Sequence, residues 1–266
     1  MKVLSKKLTN KIPKILSIAG SDCSSGAGIQ ADIKTIQSLG GYCSTVITSI
    51  TSQDSKRVYD TYSIPEEIVK SQLRAIHNDI GFDAVKIGLV PNLKIAKEIY
   101  NFFKNKNIPI ILDPVFKSSS GNFFLSKSKF RATQKFLMSV SSIIIPSLLE
   151  AKILSGEGSF NLNDMKSSAK QIYLKNNISV LIKGNELNNN AIIDILMFSG
   201  KFYVFKSKRI NSTRTHGTGC TLSSSIAFYM AKGFEIIESI KLAKKYLRNV
   251  ILNSPDLGVR YGPLGH

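Results

Sequence analysis

The stretch Ser17–Asp32, "SIAGSDCSSGAGIQAD", decides how the chain is read: an apolar run breaks into glycines and serines, then resumes as a helical pattern. The run begins upstream as "KILSIAG". Downstream, Ile29, Ile33, Ile36 and Leu39 recur at helical spacing before Gly40-Gly41, and "STVITSIT" follows. Strand, helix and strand in that order predict a βαβ unit. Inside the loop, Gly26-Ala27-Gly28-Ile29-Gln30-Ala31 spells the G-x-G-x-x-A of a dinucleotide-binding turn. Its placement argues against that use. In dinucleotide folds the first glycine follows the strand almost at once, whereas here "SDCSS" intervenes and sets Asp22 where a pyrophosphate would lie. A carboxylate repels phosphate there and suits a neutral or amino-bearing small molecule, with Gln53, just past the second strand, on the same rim. Either residue has an equally ordinary use as a turn or capping group.

The alternation continues outward. "SIPEEIVKSQLRAIHNDI" predicts a helix, with Ser63 and Glu66 in capping-box spacing, Pro65 in the first turn, and Val69, Leu73, Ile76 and Ile80 on one face. "DAVKIG", "IPIILD", "SSIIIP" and "SVLIKG" follow as short apolar strands separated by helical sequence, as expected of a parallel sheet buried on both faces. "AIIDILMF" and "KFYVFKS" flank Ser199-Gly200 and predict an antiparallel hairpin extending that sheet. Two helices close the chain, at "GTGCTLSSSIAFYMAKG" and "EIIESIKLAKKYLRNVIL". No linker or repeat interrupts the pattern, so 1–266 is expected to be one α/β domain, with 1–13 as a short N-terminal extension.

With 43% hydrophobic and 20% charged residues and no long apolar run, the composition is that of a soluble protein. The lysine-bearing start lacks the apolar core of a secretory signal, and Cys23, Cys43 and Cys220 show no paired spacing. A cytoplasmic protein with reduced thiols is expected, with no membrane attachment. The net charge of +18 is spread along the chain without an aromatic-interleaved stripe, so nucleic acid is not the expected partner.

A second glycine turn, "THGTGCTLSS" (Thr215–Ser224), leads into a helix and is the better anion site. Gly217 and Gly219 clear space, and the amides of the first helical turn around Thr218 point at whatever lies there. Cys220 sits where a helix N-terminus should stabilise a thiolate, with a pKa below about 8.5 and a role as proton acceptor; the competing reading is a small thiol packed under the helix. His216 is either a hydrogen-bonded structural residue or a catalyst. Asp113, at the end of "IPIILD", and Glu150, just after "SSIIIP", are oxygen donors of the kind Mg²⁺ uses, and Lys183, ending "SVLIKG", can neutralise phosphate. Several strand ends with phosphate-compatible chemistry indicate phosphoryl transfer.

These motifs resemble the hydroxymethylpyrimidine and hydroxymethylpyrimidine-phosphate kinases of thiamine biosynthesis, in the ribokinase-like superfamily. "SIAGSDCSSGAGIQADIKT", "VITSITSQDS", "DAVKIGL", "ILDPV", "THGTGCTLSS" and "GPLGH" carry the likeness over nearly the whole chain. It implies a three-layer α/β/α sandwich with a mostly parallel central sheet. It further implies an ATP- and Mg²⁺-dependent kinase that phosphorylates 4-amino-5-hydroxymethyl-2-methylpyrimidine and then its monophosphate, with a homodimer as the expected assembly. By that likeness Asp22 and Gln53 hydrogen-bond the aminopyrimidine, with Gly20, Leu89 and Val115 lining the pocket. Gly217, Thr218, Gly219 and Cys220 form the anion hole, with Cys220 near the accepting hydroxymethyl group. Lys183, His216 and Glu150 serve the nucleotide, and Asp113 and Glu150 the metal. Cys23 and Ser25 replace a Pro and a Gly of the pattern, Leu89 a Met, Ser147 an Asn, and "KGNE" a K-G-G-H. The rival readings are a pyridoxal-type kinase of the same superfamily, an NAD-dependent oxidoreductase and an RNA-binding protein.

Overall fold

The computed structural model describes residues 11–118, 120–156, 161–184, 186–188 and 191–266; most of the N-terminal extension and Asn185 of "KGNE" lie outside them. In chain order the elements are β1 (Lys14–Asp22), α1 (Gly28–Ser38), β2 (Tyr42–Gln53), β3 (Val58–Ser63), α2 (Glu66–Asn78), β4 (Ala84–Ile87), α3 (Leu93–Phe103), β5 (Ile110–Leu112) and α4 (Lys127–Met138). They continue as β6 (Ile143–Ile144), α5 (Leu148–Ser155), α6 (Leu162–Asn176), β7 (Ser179–Ile182), β8 (Glu186–Asn188), β9 (Ala191–Phe198), β10 (Lys201–Lys208), α7 (Thr218–Ala231) and α8 (Ile236–Leu252). Among the described residues the strands form one ten-stranded sheet in the order β10-β9-β7-β6-β5-β4-β1-β2-β3, with β8 paired to β9. The run from β7 to β2 is parallel, and both edges are antiparallel.

The strands read as unbroken apolar runs because each face meets helices. Leu16, Val85, Ile110, Leu112, Ile144 and Ile182 pack toward α2, α3, α5 and α6. Their neighbours Ile15, Ile111, Ile143 and Leu181 pack toward Ile36 of α1, Leu222 and Ile226 of α7 and Ile240 of α8. That is the expected three-layer sandwich, and no described helix is long and apolar enough to cross a membrane. Ser199 (φ 48°) and Gly200 (φ 75°) turn the predicted hairpin with two successive left-handed residues, the geometry that matches strand twist.

Two local expectations need correction. Ser63 does not cap α2: it ends β3, an edge strand the sequence did not announce, and its hydroxyl accepts from Asn92 Nδ2 (2.8 Å). Pro65 holds the N-cap position with no side-chain cap, and Glu66 and Glu67 in the first turn face the positive end of the helix instead. On α1 the buried face is turned away from the pure Ile stripe, so that Asp32 and Thr35 are buried beside Ile29 and Ile36. The reason lies beneath the site.

Candidate active site

At the carboxyl edge of the parallel strands, where open α/β sheets place their ligands, the segments after β1, β2, β4, β5, β6 and β7 enclose a cavity of about 450 Å³. The residues read from the sequence as candidates for catalysis, substrate, nucleotide and metal all line it. One end is apolar. Leu89 and Val115 supply the walls, Gln53 stands at the rim, and Gly20 is required because a Cβ there would lie 2.7 Å from Ser49 Oγ and 3.2 Å from Leu89 Cδ2.

The Asp22 carboxylate already has partners within the protein. Its Oδ1 accepts from the Ser24 amide (2.8 Å) and hydroxyl (2.7 Å). Its Oδ2 accepts from the amides of Gly26 (3.1 Å) and Ala27 (2.7 Å) and from His216 Nε2 (2.8 Å). Burial alone would raise its pKa, but the hydrogen bonds from His216, Ser24 and Gln53 hold it well below the usual carboxylate range. That bond holds the His216 ring, which is buried and turned to Asp22, and the His216 amide donates to the Gly262 carbonyl (3.2 Å).

At the other end, α7 presents its N-terminus. Gly217 caps it in the left-handed region (φ 87°), and the first i→i−4 bond runs from Thr221 to the Gly217 carbonyl (2.8 Å). The Gly219 and Cys220 amides ahead of that bond are therefore the ones left for an anion. A Cβ on Gly219 would lie 3.4 Å from both Asp113 Oδ2 and Lys183 Nζ, so the turn rests against that ion pair, which closes at 2.7 Å. Burial disfavours the Lys183 ammonium, but the Asp113 and Glu150 carboxylates reverse this and raise its pKa, keeping it charged.

Glu150 is held more tightly than a metal ligand need be. It forms the capping box of α5 with Ser147, taking the Ser147 amide on Oε2 (2.6 Å), while Oε1 accepts from the Phe116 amide (3.1 Å). Burial, then the nearby Asp113 charge, raises its pKa against the opposing pull of Lys183. Among the described residues no group of three or more His, Cys, Asp or Glu side chains could hold a metal by itself. Asp113 and Glu150 remain a two-carboxylate donor set, which fits Mg²⁺ arriving with most of its ligands as water and phosphate.

Cys220 overturns its expectation. Burial pushes the thiol from 9.0 up to about 11; the Lys86 ammonium and the Gly28 amide pull it back, and the Asp32 and Asp113 carboxylates push with the burial. A helix N-terminus lowers a thiol in a partly exposed, electropositive setting, whereas burial raises it. Asp32 brings in a cluster that the sequence reading missed: its Oδ2 takes Lys86 Nζ (2.8 Å) and the Ser17 hydroxyl (2.5 Å), and its Oδ1 the Ser224 hydroxyl (2.6 Å). Neither charged side chain is exposed. The signal was present as a lysine inside the four-residue, wholly buried strand β4.

A family model described as phosphomethylpyrimidine kinase matches residues 22–265. The hydroxymethylpyrimidine/phosphomethylpyrimidine kinase of Aquifex aeolicus is 40% identical over 92% of this chain and 97% of its own length. The probable thiamine biosynthetic bifunctional enzyme of rice (Oryza sativa subsp. japonica) is 34% identical over 95% of this chain, which spans 47% of that longer protein. Among solved structures, an ADP complex of Bacillus subtilis pyridoxal kinase superposes with a TM-score of 0.88 at 34% identity, covering 96% of this chain and 98% of its own.

Proposed function

The chain belongs to the phosphomethylpyrimidine kinase family, and from that premise we propose that it transfers phosphoryl groups from ATP to 4-amino-5-hydroxymethyl-2-methylpyrimidine and then to the resulting monophosphate. The observation that carries this reading is one cavity with an apolar slot at Gly20, Leu89 and Val115 and an amide turn backed by the Asp113–Lys183 pair. The slot suits a flat heteroaromatic ring, with the Gln53 amide able to donate and accept at its edge. The turn suits a phosphoryl group in transit.

Phosphoryl transfer is mostly positioning and electrostatics, so the chain's task is to hold charge on the moving group. The Gly219 and Cys220 amides and the Lys183 ammonium would do so from two sides. Mg²⁺, held through phosphates and water by Asp113 and Glu150, would neutralise nucleotide charge. In a loose transition state the alcohol keeps its proton until the bond to the leaving phosphate is largely broken. No resident base needs to be ionised beforehand, which agrees with a protonated Cys220.

The test is product analysis with Mg-ATP and the hydroxymethylpyrimidine, alone and beside pyridoxal. Sequential appearance of the pyrimidine monophosphate and pyrophosphate is expected. Phosphorylated pyridoxal with no phosphopyrimidine would overturn the reading in favour of the activity for which the Bacillus subtilis neighbour is named.

A further inference from the structure

Resting on the kinase reading, we propose that Asp22 and His216 form a latch that fixes the separation between the ring-side loop and the anion turn, and that both are positioning residues for the transfer. The two loops lie far apart in the chain, yet they meet with no space between them. A Cβ on Gly217 would collide with the Gly26 carbonyl, and one on Gly26 with the His216 ring. A side-chain bond closes this seam, Asp22 Oδ2 to His216 Nε2 at 2.8 Å, with Asp22 2% and His216 8% exposed. An ionised carboxylate accepts only, so the imidazole Nε2 carries the proton and the bond is charge-assisted.

The histidine is also held from behind. Its backbone amide is bonded to Gly262, and the segment around Gly262 is fastened to Ser55 through the Val259 amide to Ser55 Oγ (2.9 Å) and the Tyr261 amide to the Ser55 carbonyl (3.1 Å). A second cavity of about 300 Å³ lies between this segment and Ser24–Gly26, and the His216 ring is a wall common to both cavities. Whatever fixes His216 therefore fixes the turn that starts at the next residue, and Asp22 fixes His216. With donors from Ser24, Gly26, Ala27, Gln53 and His216 already on its oxygens, Asp22 would have to give up a bond to accept one from a ring amine. Its carboxylate shapes the slot and orients Gln53, which meets the ring's edge.

Three single variants, one double variant and two readouts test the latch. Asp22→Asn replaces an acceptor of Oδ2 with a donor, His216→Ala removes the partner, and His216→Gln keeps an Nε2 donor. A displacement of the turn by about 1 Å should cost roughly 10- to 100-fold in kcat for the first transfer, with the KM for the pyrimidine within about threefold. The double variant Asp22→Asn/His216→Ala should be no slower than the worse single one, and His216→Gln should recover most of what His216→Ala loses. A raised KM at unchanged kcat in Asp22→Asn, together with wild-type kinetics in His216→Ala, would make Asp22 a direct ligand and overturn the latch. Alkylation of Cys220 needs no substrate and reports the turn directly. It should accelerate by about tenfold in both single variants, whereas unchanged rates would sink the proposal even if the wild type proved inactive on the pyrimidine. Melting curves separate either effect from loss of fold, and if Asp22→Asn does not fold, the His216 pair alone decides.

Discussion

The Cys220 thiol offers a quantitative check on the electrostatics of the site. A thiol moved from 9.0 to about 11 has about 10²-fold less thiolate at any pH below 9. At pH 7.5 roughly one molecule in 3,000 would carry the thiolate, an ionisation cost of about 5 kcal/mol. A positioned general base returns about 10²- to 10⁴-fold, or some 3–5 kcal/mol, so ionising this one beforehand would cancel its own advantage. Cys220→Ser is therefore expected to slow the first transfer by less than about tenfold. The assay for the thiol itself is iodoacetamide labelling read by mass spectrometry, with the exposed Cys23 as internal comparator. From pH 7 to 10 the Cys220 rate should climb about tenfold per unit without levelling. A plateau at or below pH 8.5, or a rate matching Cys23 at pH 7, would refute the argument that burial outweighs the helix terminus, and a 10³-fold loss in Cys220→Ser confined to the first transfer would restore the thiolate as base.

Lys183→Met removes the ammonium that pairs with Asp113 and lies against Gly219. Steady-state kinetics should show kcat down by roughly 10²- to 10³-fold, with the pyrimidine KM little changed. Gly217→Ala places a Cβ at φ 87° against the Gly26 carbonyl. It should destabilise by at least about 1 kcal/mol, lowering the melting midpoint by roughly 2–4 °C or more. His266 is depressed from 6.5 to about 4, chiefly by burial and then by Lys34. Its folded pKa lies below the unfolded one, so the stability it contributes is complete above pH 6.5 and is lost as pH falls toward 4. After allowance for its partial exposure this amounts to about 1 kcal/mol. Urea midpoints should show a shallower decline over that window in His266→Gln, and an unchanged slope would remove His266 from the account.

The sheet and the anion turn were legible because each is written in local signals. Apolar strands such as "IPIILD" and "SVLIKG" need only their own residues to be recognised, and Ser199-Gly200 announces its hairpin by turn chemistry alone. β3 was not legible, since "VYDTYS" is an edge strand with Tyr59, Asp60 and Tyr62 exposed and only Val58 buried. Ser63 showed the limit of a short motif: correct spacing to Glu66 could not reveal that pairing with Ser49 holds it in the sheet. The residues brought to the cavity were found by their strand ends, but their roles were not. Those depend on neighbours from remote parts of the chain: His216 on Asp22, Asp32 and Asp113 on Cys220, and the α5 cap on Glu150.

Long-range electrostatics of this kind still leave one trace in a sequence, which is a residue that contradicts its own local pattern. Lys86 stands in a strand whose every residue is buried, and Asp32 is the one charged residue on the buried face of α1, beside Ile29, Ala31, Thr35 and Ile36. Burying either charge alone would cost several kcal/mol, so each requires the other before the fold is known. Such a pair adds little net stability compared with two aliphatic side chains of the same size. Its retention here fits its position: it joins β1, β4, α1 and α7 directly beneath the turn that carries Cys220, and it sets opposing charges within range of that sulfur. A mispatterned Lys and a mispatterned Asp, matched to each other, point to the floor of the site as directly as the glycine turns point to its rim.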